Sequence, residues 1–254
     1  MYLYATDYDG TVTYHGVTPE LKEALARWKA EGNLFGVVSG RPYNSIRRDS
    51  VVQEKLPVDF VIANNGALIA DGNDNMLSVT EFDTGALKRL LDRVCAEKHG
   101  YFRMDAVRFY KDWFSMPEIL FEDGHFSVDG TVWPEVTEIT VDYPDYRTSL
   151  AAAEEIGREL GAYVRALLPG ETSIDCIPAS ASKATAVRRV TELLGVKPER
   201  IFTTGDSHND LDMLLCPEFE GYAVDNALKA VREAVGRTVA DPLALLNGIF
   251  GGTI

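Results

Sequence analysis

Met1-Tyr2-Leu3-Tyr4-Ala5-Thr6-Asp7-Tyr8-Asp9-Gly10-Thr11 is the stretch whose reading decides the fold. Continuous apolar and aromatic residues from Tyr2 to Ala5 suit a short strand covered on both faces of a sheet. Two carboxylates follow, two positions apart, and Gly10 ends the strand. Charge set directly after a buried strand falls at its carboxyl end, where open α/β sheets hold their ligands. Strand alternation turns Asp7 and Asp9 to one side and Tyr8 to the other. Two readings stand at this point: a turn cap, since Asp and Gly dominate turns for steric reasons, or a functional pair.

The same texture recurs further along. Thr18-Pro19-Glu20 starts a helix, with Thr18 as N-cap and Pro19 at the first helical position. Leu21, Leu25 and Trp28 repeat at helical spacing until Gly32 stops the pattern. Leu34 to Val38 reads as a second buried strand ending in Ser39-Gly40-Arg41-Pro42, and Val58 to Ala63 as a third ending in Asn64-Asn65-Gly66. Strands that each end in polar residues plus glycine describe a β-α-β winding with one functional edge.

From about Phe82 the pattern changes. Residues 86–98 read as an amphipathic helix, and Val107-Arg108-Phe109-Tyr110 and Val136 to Val141 alternate as half-solvated strands do. A second helix over 148–160 and strands over Tyr163–Leu168 and Ser173–Ile177 complete an α-β-β-α-β-β segment. Winding then resumes with a helix from Lys183 to Gly195, a strand over Ile201–Thr204, short strands over Gly221–Val224 and Thr238–Ala240, and a helix around 227–235. The expectation is an α/β core of residues 1–81 and 180–254, with a parallel sheet and helices on both faces, carrying an inserted α+β domain, 82–179, with an antiparallel sheet.

The chain has 254 residues, enough to bury a sizeable core, and its 46% hydrophobic and 25% charged composition is that of an ordinary globular protein. A net charge of -14 argues against nucleic acid as a partner, because phosphate backbones attract basic surfaces. No basic region precedes an uninterrupted apolar stretch, so no signal peptide is expected, and no run reaches the roughly 18 apolar residues a membrane span needs. Cys95, Cys176 and Cys216 are scattered without Cys-x-x-Cys spacing and read as buried or free thiols. The expected setting is the cytoplasm, with neither membrane nor nucleic acid as partner, and a monomeric or homodimeric state.

Asp7, Asp9, Asp206 and Asp210 fall at the carboxyl ends of two strands of one sheet. If those strands are neighbours, the like charges need a cation. Few carboxylates in a site that also keeps waters and a phosphate suit Mg²⁺. Ser39-Gly40-Arg41 offers a hydroxyl and backbone N–H groups of the kind that bind anions. Lys183 stands at the start of a helix, against the macrodipole, which suits either a solvated residue or an offset to the acid cluster.

Taken together, these segments resemble the haloacid dehalogenase superfamily, and within it the Cof-like phosphatases with a large cap of the second type. Asp7-Tyr8-Asp9-Gly10-Thr11 matches the first motif of that family and Val37-Val38-Ser39-Gly40-Arg41 the second. Lys183 matches the third, and Gly205-Asp206-Ser207-His208-Asn209-Asp210 the fourth. Asn65-Gly66-Ala67 and Asp225-Asn226-Ala227 are similar to recurrent Cof-type segments. Tyr8 and the Thr203-Thr204 pair stand where the family more often has aliphatic residues.

The resemblance implies a Rossmann-like core and hydrolysis of a small phosphate ester, with sugar phosphates the default class. It implies Asp7 as nucleophile and Asp9 as general acid/base. It also implies Mg²⁺ held by Asp7, the Asp9 carbonyl, Asp206 and Asp210, with Lys183 shielding charge. Thr11, Ser39, Gly40, Arg41, Asn65 and Asn209 would contact the phosphoryl group. The inserted domain would act as a lid, with Arg103, Arg108, Lys111, Trp113, Arg147 and Arg165 as candidates for substrate contact. Two other readings use much the same residues: a sugar phosphomutase of the same superfamily, and a receiver-type phosphoacceptor module, though receivers are about half this length and lack a large insertion.

Overall fold

Leu3–Asp7 forms β1, buried along its whole length, in the computed structural model, which describes residues 1–96, 102–106 and 136–254. Thr18 caps α1 (Pro19–Ala30) by accepting a hydrogen bond from the Leu21 N–H at 3.2 Å. Helix α1 buries Leu21, Ala24, Leu25 and Trp28. The Trp28 indole N–H donates to the Leu34 carbonyl at 2.9 Å, so the largest fully buried side chain among the described residues is satisfied as well as packed. Its ring meets Tyr4 and Phe202 edge-on, at 6.4 and 6.2 Å between centroids.

The chain continues through β2 (Leu34–Val38), α2 (Tyr43–Ile46), β3 (Phe60–Ala63), β4 (Leu68–Asp71) and β5 (Met76–Val79). Strand β3 starts two residues later than its apolar pattern suggests. Asp59 is drawn off as an anchor, its carboxylate accepting from the Phe35 N–H at 2.9 Å and pairing with Lys29. Strands β4 and β5 were not expected. Asn64, Asn65 and Gly66 all take positive φ (51°, 51° and 101°), so the chain reverses and β4 returns antiparallel to β3.

An α+β unit occupies Val79–Ala181. It contains α3 (Thr84–Ala96), β6 (Phe102–Ala106), β7 (Val136–Asp142), α4 (Tyr146–Leu160), β8 (Val164–Leu167) and β9 (Ser173–Pro178). Among the described residues its four strands run in the order β6-β7-β9-β8, each pair antiparallel. Leu87, Leu90, Leu91 and Val94 of α3 and Ile156 and Leu160 of α4 share one core with Ile139, Val141, Ile174 and Cys176 of the sheet. The alternating stretch Val107–Tyr110 lies outside the described residues.

The other unit, Met1–Ser78 with Ser182–Ile254, resumes with α5 (Lys183–Leu193), β10 (Ile201–Gly205), α6 (Leu211–Leu214), β11 (Glu220–Val224), α7 (Lys229–Val235), β12 (Thr238–Val239) and α8 (Pro242–Phe250). Its sheet has the order β12-β11-β10-β1-β2-β3-β4-β5. From β12 to β3 every neighbouring pair is parallel. This is the doubly wound core expected, widened at one edge by the β4–β5 reversal. Helix α8 was also unexpected; Asp241 caps it and Pro242 occupies its first turn. Among the described residues, no helix is long and apolar enough to cross a membrane.

Candidate active site

Strand β1 lies between β10 and β2, with Thr6 opposite Thr204 and Asp7 opposite Val38. Asp7 therefore ends its strand beside Gly205, and Asp206 follows at the next position. Carboxylate oxygens of Asp7, Asp206 and Asp210 lie within 4.8 Å of one another. The strands are neighbours, and the charges converge.

One cation stands among them. Lys183 Nζ donates to Asp7 Oδ1 at 2.7 Å and to Asp210 Oδ1 at 2.5 Å, and its side chain is 1% exposed. Lys183 is the first residue of α5, after the N-cap Ser182. A lysine there opposes the helix dipole, and the two carboxylates offset that cost. Burial opposes the ammonium charge, but Asp210 and Asp7 outweigh it and push the Lys183 pKa up. Asp7 is pushed well above the ordinary carboxylate range, first by burial and then by Asp210, with Lys183 only partly compensating. Asp206 is pushed up to about 6, again by burial and then by Asp210.

Asp210 is spoken for at both oxygens. Its Oδ2 accepts from the backbone N–H groups of Asp206 and Ser207, each at 3.0 Å, and so fixes the loop after β10. Asp7 Oδ2, by contrast, is buried without a hydrogen-bond partner among the described residues. A buried carboxylate oxygen left bare is costly, and beside Asp206 it fits a hard cation that takes oxygen ligands. Thr11 Oγ1 donates to Asp206 Oδ1 at 3.3 Å.

The turn after β1 is held from several sides. Gly10 has φ +73°, and a Cβ there would sit 2.5 Å from Asp206 Oδ2, so only glycine fits between the two acidic segments. Its carbonyl accepts from the Asn226 side-chain amide at 2.7 Å. Asn226 was read only as part of a recurrent segment; its link to Gly10 crosses 216 residues and leaves no periodic signal.

Asp9 departs from the alternation argument. Strand β1 ends at Asp7, so the two-residue period does not reach Asp9, which is absent from the carboxylate cluster. The Asp9 carboxylate instead receives Arg41 Nε at 2.7 Å and Arg41 Nη2 at 2.5 Å. Arg41, expected at the phosphoryl group, has its guanidinium turned to Asp9 and Asp49.

The other expected phosphoryl contacts lie on adjoining loops. Ser39 Oγ accepts from the Arg41 N–H at 3.0 Å and keeps its own proton to donate. Carbonyls of Ser39 and Arg41 accept from the N–H groups of Asn65 and Asn64, lacing the ends of β2 and β3 together. The Asn65 side chain packs against Gly40 and accepts from the Asn209 amide at 3.1 Å. In the inserted unit, Arg165 donates to the Ala181 carbonyl at 3.1 Å and Arg147 is exposed. The side chain of Arg103, and all of Arg108, Lys111 and Trp113, lie outside what is described.

Beneath the cluster runs a chain of hydroxyls that accounts for Thr204. Thr6 Oγ1 donates to the Asp7 carbonyl at 2.8 Å, so Thr204 donates to Thr6 at 2.7 Å and Tyr4 to Thr204 at 2.8 Å. All three residues are fully buried and mutually satisfied.

The haloacid dehalogenase-like hydrolase family profile matches residues 4–242. The chain belongs to this family. YxeH of Bacillus subtilis (strain 168) is 28% identical over 250 residues, covering 91% of this chain and 90% of YxeH. The 5-amino-6-(5-phospho-D-ribitylamino)uracil phosphatase YitU of the same organism is 26% identical over 262 residues, covering 94% and 92%. Among solved structures, a haloacid dehalogenase-like hydrolase from B. subtilis superposes with a TM-score of 0.76 at 19% identity, covering 98% of this chain and 99% of that one. The subclass IIB sugar phosphatase BT4131 gives 0.71 at 19% identity, with complete coverage of both chains.

Proposed function

We propose that this protein is a Mg²⁺-dependent phosphatase that hydrolyses a small phosphorylated metabolite through an aspartyl-phosphate on Asp7. The observation that carries the reading is the buried Asp7 carboxylate, with Oδ1 on Lys183 and Oδ2 bare beside Asp206. The name of YitU, which specifies a phosphorylated ribitylamino compound, supports a phosphorylated sugar or polyol as the substrate class.

The residues then divide the work. A carboxylate oxygen of Asp7 attacks phosphorus as the ester P–O bond breaks, and Asp9 gives its proton to the departing oxygen. Asp9 then takes a proton from water, whose oxygen attacks the phosphorus of the aspartyl-phosphate, freeing phosphate and restoring Asp7. Lys183 holds Asp7 in place and offsets the charge that gathers at the phosphoryl group. Thr11, Ser39, Asn65 and Asn209 orient the phosphoryl oxygens. Asp7, the Asp9 carbonyl and Asp206 would hold Mg²⁺, with Asp210, whose two oxygens are already taken, contributing through water; when bound, the ion supplies charge neutralisation and in-line alignment.

The test is phosphate release from a panel of phosphorylated metabolites with and without Mg²⁺, in the wild type and in Asp7→Asn. Release that needs Mg²⁺ and vanishes in the variant is expected. Undiminished release by Asp7→Asn would sink the nucleophile assignment.

A further inference from the structure

The acid/base role given to Asp9 demands that a partly exposed carboxylate meet a leaving oxygen at hydrogen-bond distance. The Asp9 side chain is 46% exposed and stands at a turn, just before a glycine of positive φ. A short side chain in that position has several rotamers open to it. What holds it is Arg41, through two parallel N–H···O contacts of 2.7 and 2.5 Å. Such a fork fixes the plane of a carboxyl group as well as its distance, and it takes one lone pair on each oxygen, leaving the other for the proton that Asp9 relays.

Arg41 is itself fixed by four further contacts. Its N–H donates to Ser39 Oγ at 3.0 Å, and its carbonyl accepts from the Asn64 N–H at 3.0 Å. Its guanidinium carbon lies 5.6 Å from the centre of the Tyr8 ring. The remaining nitrogen, Nη1, donates to Asp49 Oδ2 at 2.5 Å, and Asp49 also receives Arg48 Nε at 2.8 Å. This places Tyr8, whose bulk replaces the usual aliphatic residue, beneath the arginine that grips the next side chain.

We infer that Arg41 is a positioning residue for Asp9, with Asp49 as its anchor. The inference rests on the proposed acid/base role of Asp9. Exposed ion pairs add little to stability, so the effect belongs in catalysis: a misplacement of about 1 Å in a reacting group can cost roughly 10²-fold in rate. The loss must also be selective. Proton donation matters when the leaving group is the alkoxide of a sugar, and hardly at all for p-nitrophenolate, a stable anion.

The experiment measures kcat/KM of the full chain with Mg²⁺ on a hexose phosphate and on p-nitrophenyl phosphate, for the wild type and for Arg41→Gln, Arg41→Lys, Asp49→Asn and Asp9→Asn. Arg41→Gln is expected to lose roughly 10²-fold on the hexose phosphate and less than about tenfold on the aryl ester. Arg41→Lys should lose nearly as much, because a point charge cannot replace the fork. Asp49→Asn should show the same selectivity at smaller size.

Equal losses on both substrates would overturn the inference, since they would put Arg41 on the phosphoryl group that both share. Full recovery in Arg41→Lys would overturn it too, by showing that charge rather than direction matters. If Asp9→Asn discriminates between the substrates and Arg41→Gln does not, the positioning role falls and the proposed function stands. If neither discriminates, the acid role of Asp9 fails and the inference goes with it.

Discussion

Lys183 Nζ lies 2.7 Å from Asp7 Oδ1, although 176 residues separate the two in sequence. The contact joins the first strand of the core to the first helix after the insertion. It puts the only cation of the cluster, among the described residues, against the carboxylate with the bare oxygen.

Replacing Lys183 with Met keeps the bulk and removes the charge. Asp7 and Asp210 would then be buried carboxylates without a counter-charge, and breaking a buried pair costs about 3–5 kcal/mol. Urea titration in Mg²⁺-free buffer should show a loss of that size, together with loss of turnover. An unchanged midpoint would mean that the carboxylates are neutral in the folded protein.

Asp7→Asn should behave oppositely. Burial and Asp210 both disfavour the charge on Asp7, so removing it relieves the folded state. The Mg²⁺-free unfolding midpoint should stay level or rise, while phosphate release falls by on the order of 10⁴-fold or more, as for other lost nucleophiles. A variant that is both inactive and clearly less stable would contradict this account of the site.

The Asp206 carboxyl is raised from an ordinary 3.8 to about 6 by burial and by Asp210. A carboxyl raised on folding favours the protonated folded form, so its contribution to stability is complete below its unfolded value. That contribution is lost as pH rises through about 6. Mg²⁺ binds the ionised form. The rise in Tm on adding Mg²⁺ should therefore be small at acid pH and grow as pH passes about 6. A Mg²⁺ effect that is flat across this range would remove Asp206 from the ligands.

Gly10→Ala should damage metal binding more than folding. The substituted residue would carry a φ of +73°, with its Cβ 2.5 Å from Asp206 Oδ2. Left-handed backbone costs a non-glycine residue of order 1–3 kcal/mol, and the clash displaces a carboxylate of the cluster. Calorimetric titration should find Mg²⁺ affinity reduced at least about tenfold, equivalent to 1.4 kcal/mol. Wild-type affinity would show that Asp206 tolerates displacement.

The core winding was legible because buried parallel strands are continuous apolar runs, as in Leu34–Val38, and because each run ends in polar residues plus glycine. The carboxylate cluster was legible because Asp7 and Asp206 each follow such a run directly. Asp9 was partly misread. Strand periodicity was extended two residues past the point where the backbone leaves the sheet, and the side chain went to Arg41 instead. Strands β4 and β5 were missed because Asn64-Asn65-Gly66 reads equally as a loop end and as a reversal. Only the positive φ of all three residues decides between them. Asn226 acts through a hydrogen bond that spans 216 residues, which no local pattern announces.

The pairing of β1 with both β2 and β10 has a consequence for synthesis. One edge of β1 can close as soon as Leu34–Val38 has emerged, but the other waits for Ile201–Gly205. At ~5–20 residues per second the ribosome needs roughly 8–33 s to cover the interval. Throughout that time, a strand that is fully buried in the folded protein has one row of backbone donors and acceptors unmatched. The nascent chain thus carries a sticky edge for most of its synthesis, and the segment from Val79 to Ala181, with its own separate core, is the part free to fold in the meantime.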